Sequence, residues 1–576
     1  MPPPIALGDR RRPAAALLAL GALAAYGIAL AIALAWVCDD SFVSFRYAQN
    51  LVEGRGLVYN AGEHVEGYTN LLWTLLVAGA MKLGFDPLRT SICLGIACYV
   101  LLAASLTKWW LRGAVRRGAL PLAALLALAL DDFHVWATGG LETMLFTLLV
   151  THGMLVAQDA APSPRRALWA GTLLGASVLT RPDGLIFAAA GVASLALPRP
   201  GMTWRAGARR AAVAATPIAV LVGGVVAFKL AYYGEVFPTA FYSKSATDPY
   251  YSQGLIYLGL FLARNWFIVP LCAVLLVAGR AELLPAAREE GLLSRVNLSL
   301  LGAAALFVAY VTHSGGDFMF ARRLVPAVPL LLVVLEDWAA RLSAPRWRVG
   351  LAAGAVLAAA ALPFPIFSQQ RPRIAGIADE RRFYPAAVIE MRRRQAEIVA
   401  AALAGTDARV MFEGGMCMFG YFSRLPYLAE MTGLTQYSLA RLPLPRRGHI
   451  GHEKGPDDRW LTENRIHLVL SHDPPPVAPA GATGPFDAIY FGNAMRGRIW
   501  IYDERIMDRL RERGAAEFMP IADVLAAARR EIASASPARA EQVYRLLNRY
   551  YLSGAGPAAD SLARELRALV ESRQRP

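Results

Sequence analysis

The sequence predicts a polytopic α-helical membrane protein of about eleven transmembrane helices with a C-terminal external α/β domain. Of its 576 residues, 56% are hydrophobic and only 18% charged, whereas a soluble chain of this size carries about 25% charged residues. Apolar runs of membrane-crossing length recur as far as Phe367. From Ser368 onward charge, Gly, Pro and short alternating segments return. The expected division is therefore a membrane domain over 1–367, with a first external loop at 38–85, and a soluble domain over 368–576.

Arg10, Arg11 and Arg12 precede the first apolar run, Pro13 to Val37, and read as a signal-anchor with its N-terminus inside. Leu71 to Leu83 is too short to span and is expected to lie along the surface or to re-enter. Ten further runs follow: Asp86–Leu111, Ala119–Leu130, Leu141–Val156, Ala167–Leu179, Leu185–Leu197, Ala211–Ala231, Leu255–Ala278, Val296–Val311, Leu324–Trp338 and Gly350–Phe367. With this count the Arg clusters around Arg116 and Arg117, Arg165 and Arg166, Arg199 to Arg210, Arg280 to Arg295 and Arg341 to Arg348 share the N-terminal side. Counting Leu71–Leu83 as a span would turn them outward, against the positive-inside rule. In the outer domain, Arg381–Leu403, Glu541–Leu552 and Ala558–Ser572 have helical spacing. Arg409–Phe412, Ile466–Ser471, Ala488–Phe491 and Ile499–Tyr502 read as strands.

The net charge of +15 suits nucleic acid in principle. Here the arginines fall in short loops between apolar runs, where they set topology, so no nucleic-acid partner is expected. The five cysteines, Cys38, Cys93, Cys98, Cys272 and Cys417, show no CxxC pair. Neither a zinc site nor a disulfide framework is indicated.

The outside loops hold the groups capable of chemistry. Asp39 and Asp40 emerge directly after the first apolar run. Neighbouring carboxylates repel, so one is suited to general-base work. Alternatively the pair holds a hard divalent cation, Mg, Mn or Ca, through oxygen ligands. Lys244, Arg322 and Arg323 lie where a lipid phosphate sits, and Arg and Lys both bind phosphate oxygens. Glu63, His64, Glu66, Tyr68, Asp131, His134, Glu142, Arg181, Asp317, His452 and Glu453 complete a candidate substrate pocket, because ionisable groups at a membrane edge cost free energy unless they converge. Carboxylates for an acceptor hydroxyl and cations for a phosphate leaving group suit group transfer from a lipid phosphate. No P-loop or GxGxxG precedes a helix. A transporter would place its ionisable groups in mid-span, where this chain has Ala, Leu and Val.

The run DDSFVSFRYAQNLVEGRGLVYNAGEHVEGYTNLLW, Asp39 to Trp73, resembles the first external loop of the terminal arabinofuranosyltransferases of the mycobacterial cell wall and their bacterial relatives, membrane glycosyltransferases of the GT-C fold. LTRPDG at Leu179–Gly184, FPTAFYSK at Phe237–Lys244, GGDFMFARRLVP at Gly315–Pro326 and TGLTQYSLARLPLPRRGHIGHEK at Thr432–Lys454 extend the similarity. The resemblance implies a polyprenyl-phosphate sugar donor, most simply of D-arabinofuranose, an external glycan or protein acceptor, and a multi-pass protein of the cytoplasmic membrane with its C-terminal domain extracytoplasmic. It also implies essential aspartates at Asp39 and Asp40 and donor-phosphate contacts at Lys244, Arg322 and Arg323. Gln436 departs from the acidic residue expected after GLT. Transfer of another sugar, glycosylation of a protein, or transport of a lipid-linked sugar are the rival readings.

Overall fold

The computed structural model describes residues 11–113, 119–159, 163–197, 202–245, 247–278, 294–342, 345–414, 417–471, 487–552 and 557–574. Arg10, Arg116, Arg117, Arg199, Arg280 and Arg288, on which part of the expected topology rests, lie outside these residues.

The first half is helical: α1 (Arg11–Ala33), α2 (Ser41–Val52), α3 (Leu71–Lys82), α4 (Pro87–Arg112), α5 (Leu122–Ala129), α6 (Asp131–Thr138), α7 (Thr143–Gln158), α8 (Pro164–Thr180), α9 (Gly184–Ala196) and α10 (Trp204–Tyr233). Then come α11 (Thr239–Ser243), α12 (Tyr251–Arg264), α13 (Ile268–Ala278), α14 (Arg295–His313), α15 (Val328–Ala339) and α16 (Pro345–Ala361). Several starts are written in the sequence. Asp86, Ser163, Thr203 and Ser294 each accept a hydrogen bond from the backbone N–H three residues on, and Pro87 and Pro164 occupy the first helical position.

Among the described residues, four helices are long and apolar enough to cross a membrane: Pro13–Ala33 within α1, α4, α10 and α14. Two bent pairs, α6 with α7 and α12 with α13, raise the number to six if each is one broken span. The expected eleven are therefore not reproduced by length and composition, because several apolar runs are interrupted. The expected run Ala119–Leu130 becomes the buried eight-residue α5. The chain turns at an extended Leu130 and restarts at once as α6, so Asp131, Asp132 and His134 stand on a helix and not in an outer loop. A 119° bend then separates α6 from α7, taken through Gly139 and Gly140, the latter at φ +78°. The short Leu71–Leu83 piece is a twelve-residue helix, α3.

After α16 a two-residue hairpin, β1 (Arg373–Ile374) with β2 (Ile377–Ala378), leads to α17 (Ala386–Ala402) and a six-stranded mixed sheet. Its strands are β3 (Arg409–Glu413), β4 (Tyr427–Glu430), β5 (Leu468–Ser471), β6 (Ala488–Phe491), β7 (Met495–Ile499) and β8 (Glu517–Phe518), in the order β4-β3-β5-β7-β6-β8. β3 runs parallel to β4 and β5, and the other pairs are antiparallel. The expected strand at Ile499–Tyr502 forms earlier, at Met495–Ile499. A turn with Gly492 at φ +53° returns the chain directly onto β6, which sets the register Phe491↔Met495. α18 (Cys417–Ser423) crosses from β3 to β4.

The segment between α2 and α3 is the clasp that joins the two parts. Buried Arg46 donates to the carbonyls of Tyr59 (2.7 Å), Leu425 (2.8 Å) and Gly420, and its guanidinium lies over the Tyr59 ring. Asn60 accepts from the Leu428 N–H (3.0 Å) and donates to the Leu428 carbonyl (3.1 Å), serving as an extra partner on the edge strand β4. Gly67 is needed for close approach, since a Cβ there would sit 2.4 Å from the Leu434 carbonyl oxygen. On the helical side, buried Glu66 pairs with Lys229 of α10 at 2.8 Å, and the Tyr68 and Tyr233 hydroxyls lie 3.1 Å apart.

Breaking the Glu66–Lys229 pair from one side leaves a buried charge, which costs up to about 3–5 kcal/mol. Lys229→Met is expected to lower the thermal unfolding midpoint of the detergent-solubilised protein by several degrees. Combining it with Glu66→Gln should recover part of the loss. A single variant as stable as wild type would show the pair to be dispensable.

Candidate functional site

Asp39 and Asp40 follow α1 directly, yet the fold gives them opposite situations. Asp39 is 5% exposed, and its carboxylate is held by the backbone. It accepts the backbone N–H groups of Cys417 (3.0 Å) and Met418 (2.9 Å), at the start of α18. These donors and the positive end of the helix stabilise its negative form. Asp40 heads α2 without capping it. It is half-buried, and its carboxylate makes no hydrogen bond or ion pair among the described residues. Burial raises its pKa, Lys244 and Arg322 oppose the rise, and Asp317 and Glu142 add to it.

Beneath this pair lies a chain of buried ion pairs. Glu142, at the start of α7, faces Arg322 at 3.3 Å and Arg181 at 3.6 Å, and accepts from Asn70 at 2.9 Å. Asn70 is itself held by the hydroxyls of Ser44 and Thr74. Arg181 grips Asp183 with two nitrogens, at 3.0 and 2.8 Å, and lies over the Phe146 ring. Arg322 also meets Asp317 at 3.7 Å. Arg323 donates to Ser314 Oγ (2.7 Å) and the Gly316 carbonyl (2.9 Å), approaches Asp183 at 4.0 Å and covers Tyr310. Three arginines thus meet three carboxylates, and the network is neutral within itself. Arg322 and Arg323 thus have protein partners, whereas Lys244, the third cation expected to contact a donor phosphate, does not.

Lys244 is the exception. It follows α11, beyond the C-terminal end of α10, is half-buried against Gly451, and its ammonium has no partner among the described residues. Asp40 and Lys244 are therefore opposite charges without protein partners among the described residues that the fold brings within electrostatic range of each other. His452 stands at the same place. It packs edge-on against Phe318 (5.1 Å), its ring centroid is 4.5 Å from that of His449, and Lys244, Arg373 and Asp317 act on it. Burial lowers the pKa of both histidines.

The remaining candidates hold the fold in other places. Glu63 accepts from Asn60 and from Gln436, each at 3.1 Å. Gln436 can make this bond because it is an amide; a carboxylate there would oppose Glu63. His64 is exposed and stacks on Tyr232 at 4.3 Å. Glu66 and Tyr68 serve the clasp to α10. Asp131 pairs with Arg264 at 2.7 Å, and His134 bonds the Leu128 carbonyl and the Tyr99 hydroxyl. Glu453 accepts from Arg447 and the Gly448 N–H within its own loop. Reading by outer loop alone grouped all of these, and their contacts run elsewhere. Two grooves of about 900 and 950 Å³ open on the outer domain, one beside Met391 and Ile398, the other beside Arg459 and Arg545; neither is lined by a residue of the charge network.

The structure also brings in groups that sequence reasoning passed over. Glu380 and Arg373 lie in the strap between α16 and α17, where a charged stretch after the last apolar run reads simply as soluble surface. For a metal, the ligand atoms of Asp39, Asp40 and Cys417 lie within 4.8 Å of one another. A hard cation takes six or more oxygen ligands. Here one donor is a thiol and both Asp39 oxygens already accept backbone N–H groups, so the set does not suit such an ion.

No family model matches the chain. It is 31% identical over 403 residues to the terminal β-(1→2)-arabinofuranosyltransferase of Mycobacterium tuberculosis, covering 61% of this chain and 62% of that protein. It is 28% identical over 333 residues to the protein of the same name from Corynebacterium glutamicum, covering 52% and 47%. The aligned part thus spans less than two thirds of these relatives' own length. Among solved structures, ArnT from Cupriavidus metallidurans bound to undecaprenyl phosphate aligns at a TM-score of 0.48 and 15% identity, over 84% of this chain and 97% of that one. The oligosaccharyltransferase of Archaeoglobus fulgidus aligns at 0.43 and 10%, over 79% and 69%. The resemblance to the terminal arabinofuranosyltransferases, read from motifs between Asp39 and Lys454, is thus matched by an alignment over 61% of this chain.

If Asp39 serves to dock the outer domain, Asp39→Ala should leave two N–H groups and a helix end unpaired, at about 1–2 kcal/mol or more. Faster amide exchange is expected at residues 417–423, with exchange in α4 and α10 unchanged. Exchange at 417–423 equal to wild type would remove this role.

Proposed function

We propose that the protein is a membrane glycosyltransferase. It transfers a sugar, D-arabinofuranose in the simplest reading, from a polyprenyl-phosphate donor to an external glycan acceptor. The observation that carries the proposal is the pairing of one uncommitted carboxylate, Asp40, with one uncommitted cation, Lys244, above a neutral ion network. The alignment with proteins named arabinofuranosyltransferases supports the choice of sugar. On this reading the N-terminus is cytoplasmic, the protein sits in the cytoplasmic membrane, and the outer domain is extracytoplasmic.

The chemistry follows from the two charges. Asp40 takes the proton of the acceptor hydroxyl as its oxygen bonds to the anomeric carbon. The bond from that carbon to the phosphate oxygen breaks, and its electron pair leaves with the phosphate, whose added charge faces Lys244. Arg322 contributes through its field on Asp40. Asp39 positions the outer domain, and His452 with Phe318 offers a ring surface beside the sugar. No step is routed through a metal.

Asp40→Asn is expected to lower product formation about 10²–10⁴-fold, measured by mass spectrometry on nanodisc protein with polyprenyl-phosphate arabinose and a short arabinan. Lys244→Gln should chiefly raise the KM for donor. A chelator should leave the rate unchanged. Because Asp40 acts as the ionised base and burial raises its pKa, the rate should fall on acidification at a pH above the ordinary carboxylate value of about 4. Full activity in Asp40→Asn would move the site elsewhere. Transfer of a different lipid-linked sugar alone would correct the donor, and movement of an intact lipid-linked sugar without transfer would favour transport.

A further inference from the structure

The strap from Arg373 to Tyr384 is laid across the site. Phe320 donates its N–H to the Ala378 carbonyl and Ala378 donates to the Phe318 carbonyl, each at 2.9 Å, so the strap pairs with the loop that carries Asp317 and Arg322. Its turn is fixed by Gln253, which donates to the Ala375 carbonyl, and by the contact of His449 Nε2 with the Gly376 carbonyl. Tyr384 stacks on Trp36, just before Asp39. This brings Glu380, only 6% exposed, to the site with no hydrogen bond or ion pair among the described residues. A buried carboxyl without a partner is costly if ionised.

The groups that face Glu380 are mostly acidic. From the first loop come Asp39, Asp40 and the Cys38 thiol, from the 314–324 loop Asp317, and from its own strap Arg373 and Tyr384. Arg373 is the one cation among them; it is exposed and lies over the Phe383 ring at 4.7 Å. We infer that Glu380 is a positioning residue of this site, held as the neutral acid opposite Asp40, so that an anionic lipid phosphate meets one carboxylate fewer. The inference rests on the donor chemistry proposed above. Burial first, then Asp40, push the Glu380 pKa up to about 8, with Arg373 opposing. Between pH 7 and 9 Glu380 therefore gains a charge that repels the donor phosphate.

The test is the affinity of the full-length protein in nanodiscs for polyprenyl phosphate, read by native mass spectrometry at pH 7 and pH 9 without turnover. Wild type is expected to bind on the order of tenfold more weakly at pH 9. Glu380→Gln should bind nearly alike at both, while Glu380→Asp should retain a pH dependence. If Glu380→Gln weakens with pH as wild type does, the inference is overturned. Should Glu380→Gln not fold, wild type and Glu380→Asp decide it, and binding that is flat from pH 7 to 9 in both overturns it. Lipid-phosphate binding that follows the expected pattern without any sugar transfer would defeat the proposed function and leave this inference standing. Transfer activity with pH-independent binding would do the reverse.

Discussion

The structure depends most on the two N–H groups that Cys417 and Met418 give to Asp39, across 378 and 379 residues of sequence. Two adjacent carboxylates in a poorly solvated place cannot both be ionised cheaply. The fold gives one of them a helix end and two donors, and leaves the other without donors, its pKa raised by burial first and then by Asp317 and Glu142. Asp39 becomes the acid that holds the C-terminal domain on the first loop. Asp40, one residue on, is left half-buried, without donors and with a raised pKa. A single docking interaction thus both joins the two parts of the chain and decides which carboxylate is available for chemistry.

The ion network below works in the same direction. Arg181, Arg322 and Arg323 are almost wholly buried, and buried guanidinium groups need carboxylate or carbonyl partners. Glu142, Asp183 and Asp317 supply them. Had Arg322 been open, the site would carry a second unpaired cation acting on Asp40 and would hold it ionised more firmly. With the network neutral, the local balance is set by Asp40, Lys244 and the strap, and small changes there matter.

Much of this was legible in the sequence. Asp39 and Asp40 stand out because they follow the first apolar run directly and open the long loop that carries the most specific motif, a placement shared only in part by Asp131 and Asp132 after Leu130. Lys244 stands out as a cation in an aromatic loop at a helix end. The central strands of the C-terminal domain and its helices at Ala386–Ala402, Pro537–Leu547 and Pro557–Gln574 were readable from alternation and spacing, with β7 displaced by the Gly492 turn, whereas those at Glu504–Glu512 and Ile521–Ser534 were not. What the sequence could not divide was labour between neighbours. Which aspartate is capped depends on where α18 begins, far along the chain. Whether Arg322 and Arg323 are free depends on Glu142, Asp317 and Asp183 arriving from three different elements. Asp131 and His134 looked like loop residues because an eight-residue helix and an immediate restart have no strong signal in an Ala- and Leu-rich run. Glu380 gave no signal at all, since a charged stretch at a domain boundary is what a solvated linker also looks like.

Gln436 illustrates how a departure from an expected pattern can be physical before it is functional. Its amide donates to Glu63, which Asn60 also contacts, and Asn60 is the residue that closes the edge of β4 against the first loop. An acid at 436 would place a second carboxylate against Glu63, with only Arg409 at 3.9 Å to offset it. The neutral residue therefore follows from the clasp that the first loop makes with the outer domain. The same clasp, through Thr239, which donates to the carbonyls of Glu66 (3.0 Å) and Leu434 (2.5 Å), reaches the start of the short helix ahead of Lys244. A substitution in the C-terminal domain can thus shift Lys244 without touching it, so the site belongs to both halves of the chain.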